Sequence, residues 1–237
     1  MSKNKAFCCV LILICALCVC AVVTYAATDD NDAVAIEPTE SAMFIAGQHY
    51  KTILQTDGLS TSNETTIVAS YHGHNITSRI LEYQRDMNEL FVSVGSASYE
   101  TDREIINRII RGIMLTEEAE RLGLTATDDE INARMDSVLQ AYSLPDGKEM
   151  IEVYCEGAGI TVDEYFQKQR EQIPESVAHR KLKNEICKQY CLDNNLEYNA
   201  DAPLSEDMLA AEDAYIAALF ERNKNDIVYY LDEAEIS

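Results

Sequence analysis

Apolar side chains return at three- and four-residue steps through most of the chain after Ile67, and that period predicts helices. Ile80, Tyr83, Met87, Leu90, Phe91 and Val94 form one such stripe, opened by Thr77 as a cap and ended by Gly95. Thr101-Asp-Arg-Glu104 is a capping box, in which the threonine oxygen accepts from a free backbone N–H and the glutamate reaches back to the cap. The helix behind it runs to Leu122, before Gly123. Its stripe of Ile105, Ile106, Ile109, Ile110, Ile113 and Met114 is wide enough to be packed from two sides. Thr127-Asp-Asp-Glu130 is a second box, ahead of a face made by Ile131, Met135, Val138, Leu139 and Tyr142, and Pro145 blocks continuation. Lys148 to Glu156 predicts a shorter helix closed by Gly157 or Gly159. Thr161-Val-Asp-Glu164 is a third box. The helix after it reaches Asn194, with a kink or break expected at Pro174, which has no N–H to donate. Ser205 caps a last helix with Leu209, Ile216, Leu219 and Phe220 on one side.

Short β signals bracket these helices. Ile67 to Tyr71 reads as a strand, His72-Gly73 as a turn and His74 to Ile76 as the return. Ile227 to Leu231 reads as another strand. Its expected partner is the first, which would join the two ends of the domain.

The start of the chain follows other rules. Lys3 and Lys5 precede an uncharged apolar run from Ala6 to Val23, the layout of an export signal. The run is longer than the roughly 7–15 residues of a cleaved signal and near the lower limit of a membrane span. Thr24-Tyr25-Ala26 is a passable cleavage site, so removal and retention as an anchor both stay open. Either way the remainder is expected outside the cytoplasmic membrane. No cysteine follows the Leu-x-small pattern of a lipid-attachment site, which disfavours a lipoprotein. Three regions result: 1–27 as signal or anchor, 28–66 as an acidic, polar linker and 67–237 as a helical domain. Within the linker, Met43 to Leu54 is apolar enough to form a helix or a strand, or to plug a groove.

The formal net charge of −22 argues against nucleic acid and anionic lipid as partners. A well-solvated surface accounts for it, with basic clients as the sharper reading. Five of the eight cysteines lie in the apolar leader. Cys155, Cys187 and Cys191 remain, an odd number that leaves no complete disulfide framework. Cys187 and Cys191 with His179 offer three ligands for zinc, and His72 with His74 offers two for a metal. Structural thiols and polar turn residues are the simpler accounts, and no cofactor is expected. The acid pairs Asp128-Asp129 and Glu117-Glu118 are explained by helix starts and polar faces rather than by acid–base chemistry. The chain has no Gly-x-Ser-x-Gly elbow, phosphate loop or His-Glu-x-x-His, so an enzyme is not expected.

Three stretches carry a resemblance. Val68-Ala-Ser-Tyr-His-Gly-His-Asn-Ile-Thr77 resembles the opening of the SurA/PrsA class of extracytoplasmic chaperones, where a strand, a tight turn and Ile-Thr lead into the first helix. Leu115 to Ile131 resembles the family's passage from one helix through Gly-apolar-Thr into the next. Gly159 to Phe166 repeats that logic. The resemblance covers about Ile67 to Leu231. It implies a mainly α fold: a multi-helix SurA N-terminal-like peptide-binding domain with a small terminal β-pairing. His72 departs from the usual Asn before the turn glycine. Only Leu196 to Ser205 separates the long helix from the last one, so the parvulin-type isomerase domain often inserted there is not expected.

The function this implies is ATP-independent holding of unfolded or secreted polypeptides. A dedicated assembly protein with one folded envelope partner is the alternative, and prolyl isomerisation the least favoured reading. Homodimerisation stays open. Such holding needs adaptable apolar surface, which methionine and amphipathic aromatic side chains provide. Tyr83, Met87, Phe91, Met114, Met135, Tyr142, Tyr154, Tyr165 and Phe166 are the candidates. Each is also an ordinary helix-core residue, and the resemblance implies that some of the set line a groove.

Overall fold

The three Thr-x-x-Glu boxes start the three helices the sequence assigned to them. In each, the threonine Oγ accepts from the backbone N–H three residues on, and the glutamate accepts from the threonine N–H at 2.7–2.9 Å. The computed structural model describes residues 40–57, 66–200 and 202–231; the apolar leader lies outside them. Helix α1 spans Glu40–Asp57, strands β1 and β2 span Ile67–Tyr71 and His74–Thr77, and α2 spans Ser78–Ser93. Then follow α3 (Asp102–Arg121), α4 (Asp128–Tyr142), α5 (Pro145–Ala158), α6 (Val162–Asp193) and α7 (Glu206–Asn223). A single 3₁₀ turn leads into β3, Ile227–Tyr229. The described residues are thus mainly helical, and no helix among them is long and apolar enough to cross a membrane.

The sheet has the order β2-β1-β3 with both pairings antiparallel, so the C-terminal strand does return to the first. His72 and Gly73 make the hairpin turn at φ of 46° and 87°. His72 occupies a left-handed conformation that favours Asn or Gly. Its ring stacks on Tyr71, with centroids 4.0 Å apart, and its Nδ1 lies 3.0 Å from Glu117.

Several expectations need correction. The folded unit begins inside the stretch read as a linker: α1 carries Met43, Ala46 and Tyr50 into the interior. In α2 the register is shifted at the start. Leu81 is buried and Ile80 largely exposed, because Leu81 faces the sheet. Leu139 in α4 also faces solvent. The fifth helix starts three residues early, because Pro145 blocks one helix and opens the next at its N1 position, where its missing N–H is not needed. Pro174 does not break α6, which is continuous over 32 residues. Glu118 lies not on a polar face but inside. Two hydrogen bonds from Arg121, 2.6 and 2.9 Å, and one from Tyr215 hold its carboxyl down at about 2.

Two apolar clusters result. The first joins α1, α2, α4, α5 and the N-terminal half of α6. The second joins the sheet, α3, α7 and the middle of α6, with Leu81 from α2. Between α3 and α6 sits a buried histidine, His179. Its Nε2 lies 2.9 Å from the Thr116 hydroxyl, and it also bonds the Gly112 backbone. Lys183 of α6 meets Glu212 of α7 at 2.8 Å, both largely buried.

Burial lowers His179 to about 4, so it is neutral in the fold and takes a proton near its ordinary 6.5 only when unfolded. The unfolded chain therefore binds more protons below 6.5. Stability from this group falls as pH drops from about 6.5 to about 4, by about 3 kcal/mol in full. The neighbouring Glu175 carboxyl, raised by burial, acts oppositely: its contribution is present below its ordinary value and is lost as pH rises. Denaturant midpoints across this window are expected to fall on acidification in the wild type and to flatten in His179→Gln. An unchanged slope in the variant would contradict the assignment.

Candidate functional site

Helix α1 presents one inward stripe, Ala42, Met43, Ala46, Gly47 and Tyr50, at helical spacing. The outer positions Ile45, Gln48 and Lys51 face solvent. The stripe lies in a trough built chiefly by α5, with α2 alongside. Tyr83 and Met87 of α2 and Ile151, Tyr154 and Ala158 of α5 share one apolar cluster with Met43, Ala46 and Tyr50.

The contact is unusually close at two glycines. A methyl carbon on Gly47 would sit 2.2 Å from the Tyr154 carbonyl oxygen and 2.7 Å from the Ala158 nitrogen. One on Gly157 would sit 2.2 Å from the Phe44 carbonyl oxygen. The two backbones therefore touch through reciprocal glycines, each filling the place where the other helix would need a side chain removed. At the rim, His49 Nδ1 of α1 lies 3.2 Å from Asp86 of α2.

From the trough an aromatic ladder crosses the first cluster. Tyr50 meets Tyr154 with ring centroids 6.1 Å apart, Tyr154 meets Tyr165 at 5.8 Å, Tyr165 meets Phe166 at 5.5 Å and Phe166 meets Tyr142 at 5.1 Å. The last three contacts are edge-to-face, the arrangement ring quadrupoles prefer. Tyr142 and Phe166 are only partly buried, so the ladder runs from under α1 to the surface.

Six of the nine sequence candidates, Tyr83, Met87, Met114, Met135, Tyr154 and Tyr165, are buried in the fold. They do not line an open groove. Phe91, Tyr142 and Phe166 are partly exposed. Eight of the nine belong to or pack against the first cluster, whereas Met114 belongs to the second and is separate from the site. The glycines at the crossing, and Ile151 and Ala158 beside them, were not among the candidates. The small-residue stripe of Ala42, Ala46 and Gly47 is the signal that marks such a crossing.

The remaining polar candidates sort elsewhere. His72 and His74 converge on Glu117, at 3.0 and 3.9 Å, and the Tyr71 hydroxyl donates to the same carboxylate at 3.2 Å. Burial, then Glu117, pushes the Tyr71 hydroxyl up to about 12. His179 turns to Thr116, whereas the Cys187 thiol points to the Met208 carbonyl 3.9 Å away, so they face different helices. No group of three His, Cys, Asp or Glu among the described residues is arranged to hold a metal. Cys155 is buried, and burial with Glu152 and Glu164 pushes its thiol up to about 12, which leaves it unreactive.

Compared with known proteins, the chain matches no protein-family model, no curated protein and no solved structure.

The glycine crossing gives a direct prediction. Gly47→Ala and Gly157→Ala are each expected to destabilise by about 1–3 kcal/mol through overpacking. Because both relieve or load one contact, the double variant is expected to cost less than the sum. Additive losses in a denaturation cycle would show that the two positions do not share a contact.

Proposed function

We propose that this is an extracytoplasmic, ATP-independent holding chaperone of the SurA/PrsA type, lacking the isomerase domain, with the α2–α5 trough as its polypeptide-binding surface. The observation that carries the reading is that the trough is built to hold a chain segment. Its walls are Tyr83, Met87, Ile151 and Tyr154, and it holds a helix of this same chain through one apolar stripe. Helix-in-groove binding needs no nucleotide, because apolar burial supplies the attraction and release is reversible. The order of elements supports the reading. A strand–turn–strand leads into α2, Gly-apolar-Thr joins α3 to α4 and α5 to α6, and the last strand closes on the first. The export-type leader and the acidic surface fit a soluble holdase facing unfolded exported chains.

A dedicated assembly protein for one envelope partner is the second reading. The reciprocal glycine contact favours it, since it would accept few helices.

The chain from Thr28 to Ser237 keeps every described residue. It is expected to suppress aggregation of a chemically unfolded client without ATP, at near-stoichiometric ratio, and to leave proline isomerisation at its uncatalysed rate. Aggregation that proceeds unchanged would sink the chaperone reading. Capture of a single folded partner in stoichiometric amount would establish the second.

A further inference from the structure

We infer that the open edge of β3 accepts an extended segment of another polypeptide, one that carries two carboxylates four residues apart, and that Arg103 and Arg111 of α3 read those carboxylates. The inference goes beyond the holding reading. It concerns the surface over the second interior, away from the crossing of α1 and α5, and it stands or falls separately.

Strand β3 ends the sheet, with β1 on one side only. The Tyr230 N–H donates to the Val68 carbonyl at 2.9 Å, and Val228 stands opposite Ser70. Backbone groups in an antiparallel ladder alternate between the partner strand and the far side. Val228 and Tyr230 therefore turn theirs to β1, and Tyr229 turns its N–H and C=O outward. That pair is what a further strand needs. The Val228 and Tyr230 side chains, 47% and 57% exposed, share one face of β3 and offer cross-strand contacts to the same visitor.

The helix alongside sets the visitor's chemistry. Strand β3 runs beside α3 in the opposite direction. Asp226, just before it, shares His72 with Glu117, and the Tyr229 hydroxyl donates to Asn107. Arg103 and Arg111 lie one turn to either side of Asn107, on the same helix face. The Arg103 guanidinium lies over the Tyr229 ring at 4.2 Å, and that of Arg111 over the Phe220 ring at 5.4 Å. Burial raises the Tyr229 hydroxyl, and both arginines act to lower it, so both stand close to this edge. Stacking uses the flat faces of the guanidinium groups and leaves N–H donors around their rims.

Other arginines find carboxylates: Arg85 pairs with Asp102, Arg108 with Glu100 and Arg121 with Glu118. Among the described residues neither Arg103 nor Arg111 forms an ion pair, although the chain holds 41 acids against 19 bases. Glu104 feels Arg111, but its carboxylate is taken by the Thr101 N–H and hydroxyl. Eight residues of helix set the two arginines about 12 Å apart along the axis. Four residues of extended chain cover about 13 Å and return to the same face. The net charge of −22 repels an acidic peptide at long range, but a screening length of about 8 Å at physiological salt leaves the local pairing to decide.

The test uses the full chain as recovered from the exporting cell. The probe is a fluorescein-labelled nine-residue peptide of alternating threonine and valine, with glutamate at its third and seventh positions. Binding read by anisotropy is expected to be about tenfold tighter than for the same peptide with glutamine at both positions, or with glutamates on opposite faces at the third and sixth. Arg103→Gln and Arg111→Gln are each expected to weaken it about tenfold. Hydrogen exchange of the Tyr229 amide is expected to slow when the probe binds. Equal affinity for the three peptides, or no binding up to about 1 mM, overturns the inference. Binding that ignores both arginine substitutions, or that leaves Tyr229 exchange unchanged, overturns it as well. Where circular dichroism shows that a variant has not folded, the three peptides and the Tyr229 amide of the wild type decide.

Discussion

Helix α6 supplies side chains to both interiors of the domain and packs against α3, α4, α5 and α7. Tyr165, Ile173 and Val177 enter the first cluster, while Ala178 and Leu182 enter the second. The change of side falls between adjacent residues. One straight rod can serve two interiors only if its apolar faces are offset around the axis, and 32 residues give it about 48 Å over which to do so. Pro174 sits just before the change of side. Its ring removes one backbone bond and crowds the Arg170 carbonyl, yet the helix continues, because burial on both sides of the proline outweighs a loss of about 3 kcal/mol. The α3 contact through His179 and Thr116 and the α7 contact through Lys183 and Glu212 then fix the rotation of α6. Polar pairs set orientation here, because each buried group has few places where it can be satisfied.

What could be read in advance was local. A capping box needs four residues and no partner, and all three formed as spelled. The His72-Gly73 turn and the β1–β3 pairing were legible for the same reason: turn chemistry and two short apolar runs. Helix α1 was left undecided because its stripe is built from small residues. Ala46 and Gly47 contribute little apolar weight, and their value lies in how near they let another backbone come. That depends on Gly157, far away in sequence. The continuity through Pro174 and the burial of Glu118 were illegible on similar grounds. Each is decided by partners on other helices, Tyr215 in the case of Glu118.

The same distinction separates the residues expected to line a groove from the crossing of α1 and α5. The methionine and aromatic candidates were each readable as helix core, with some of the set expected to line a groove; six of the nine are buried, five of them in the first cluster. The surface with recognisable shape is instead the place where bulk is missing. Where Gly47 and Gly157 meet, the fit is set at backbone level: a methyl carbon on either would sit 2.2 Å from a carbonyl oxygen of the other helix.

The pairing of β1 with β3 has a consequence for the order in which the molecule assembles. Ser70 and Tyr230, which touch across this pairing, are 160 positions apart in the chain. A polypeptide emerging N-terminus first, from a ribosome or a translocation pore, presents β1 and β2 early and then waits for almost the whole domain before the third strand arrives. During that interval β1 has one partner and one open edge, the exposure that invites pairing with foreign strands. Closing so long a loop also slows the final step relative to the helices, which form from neighbours. The open edge of β1 is therefore covered only after the last helix has emerged.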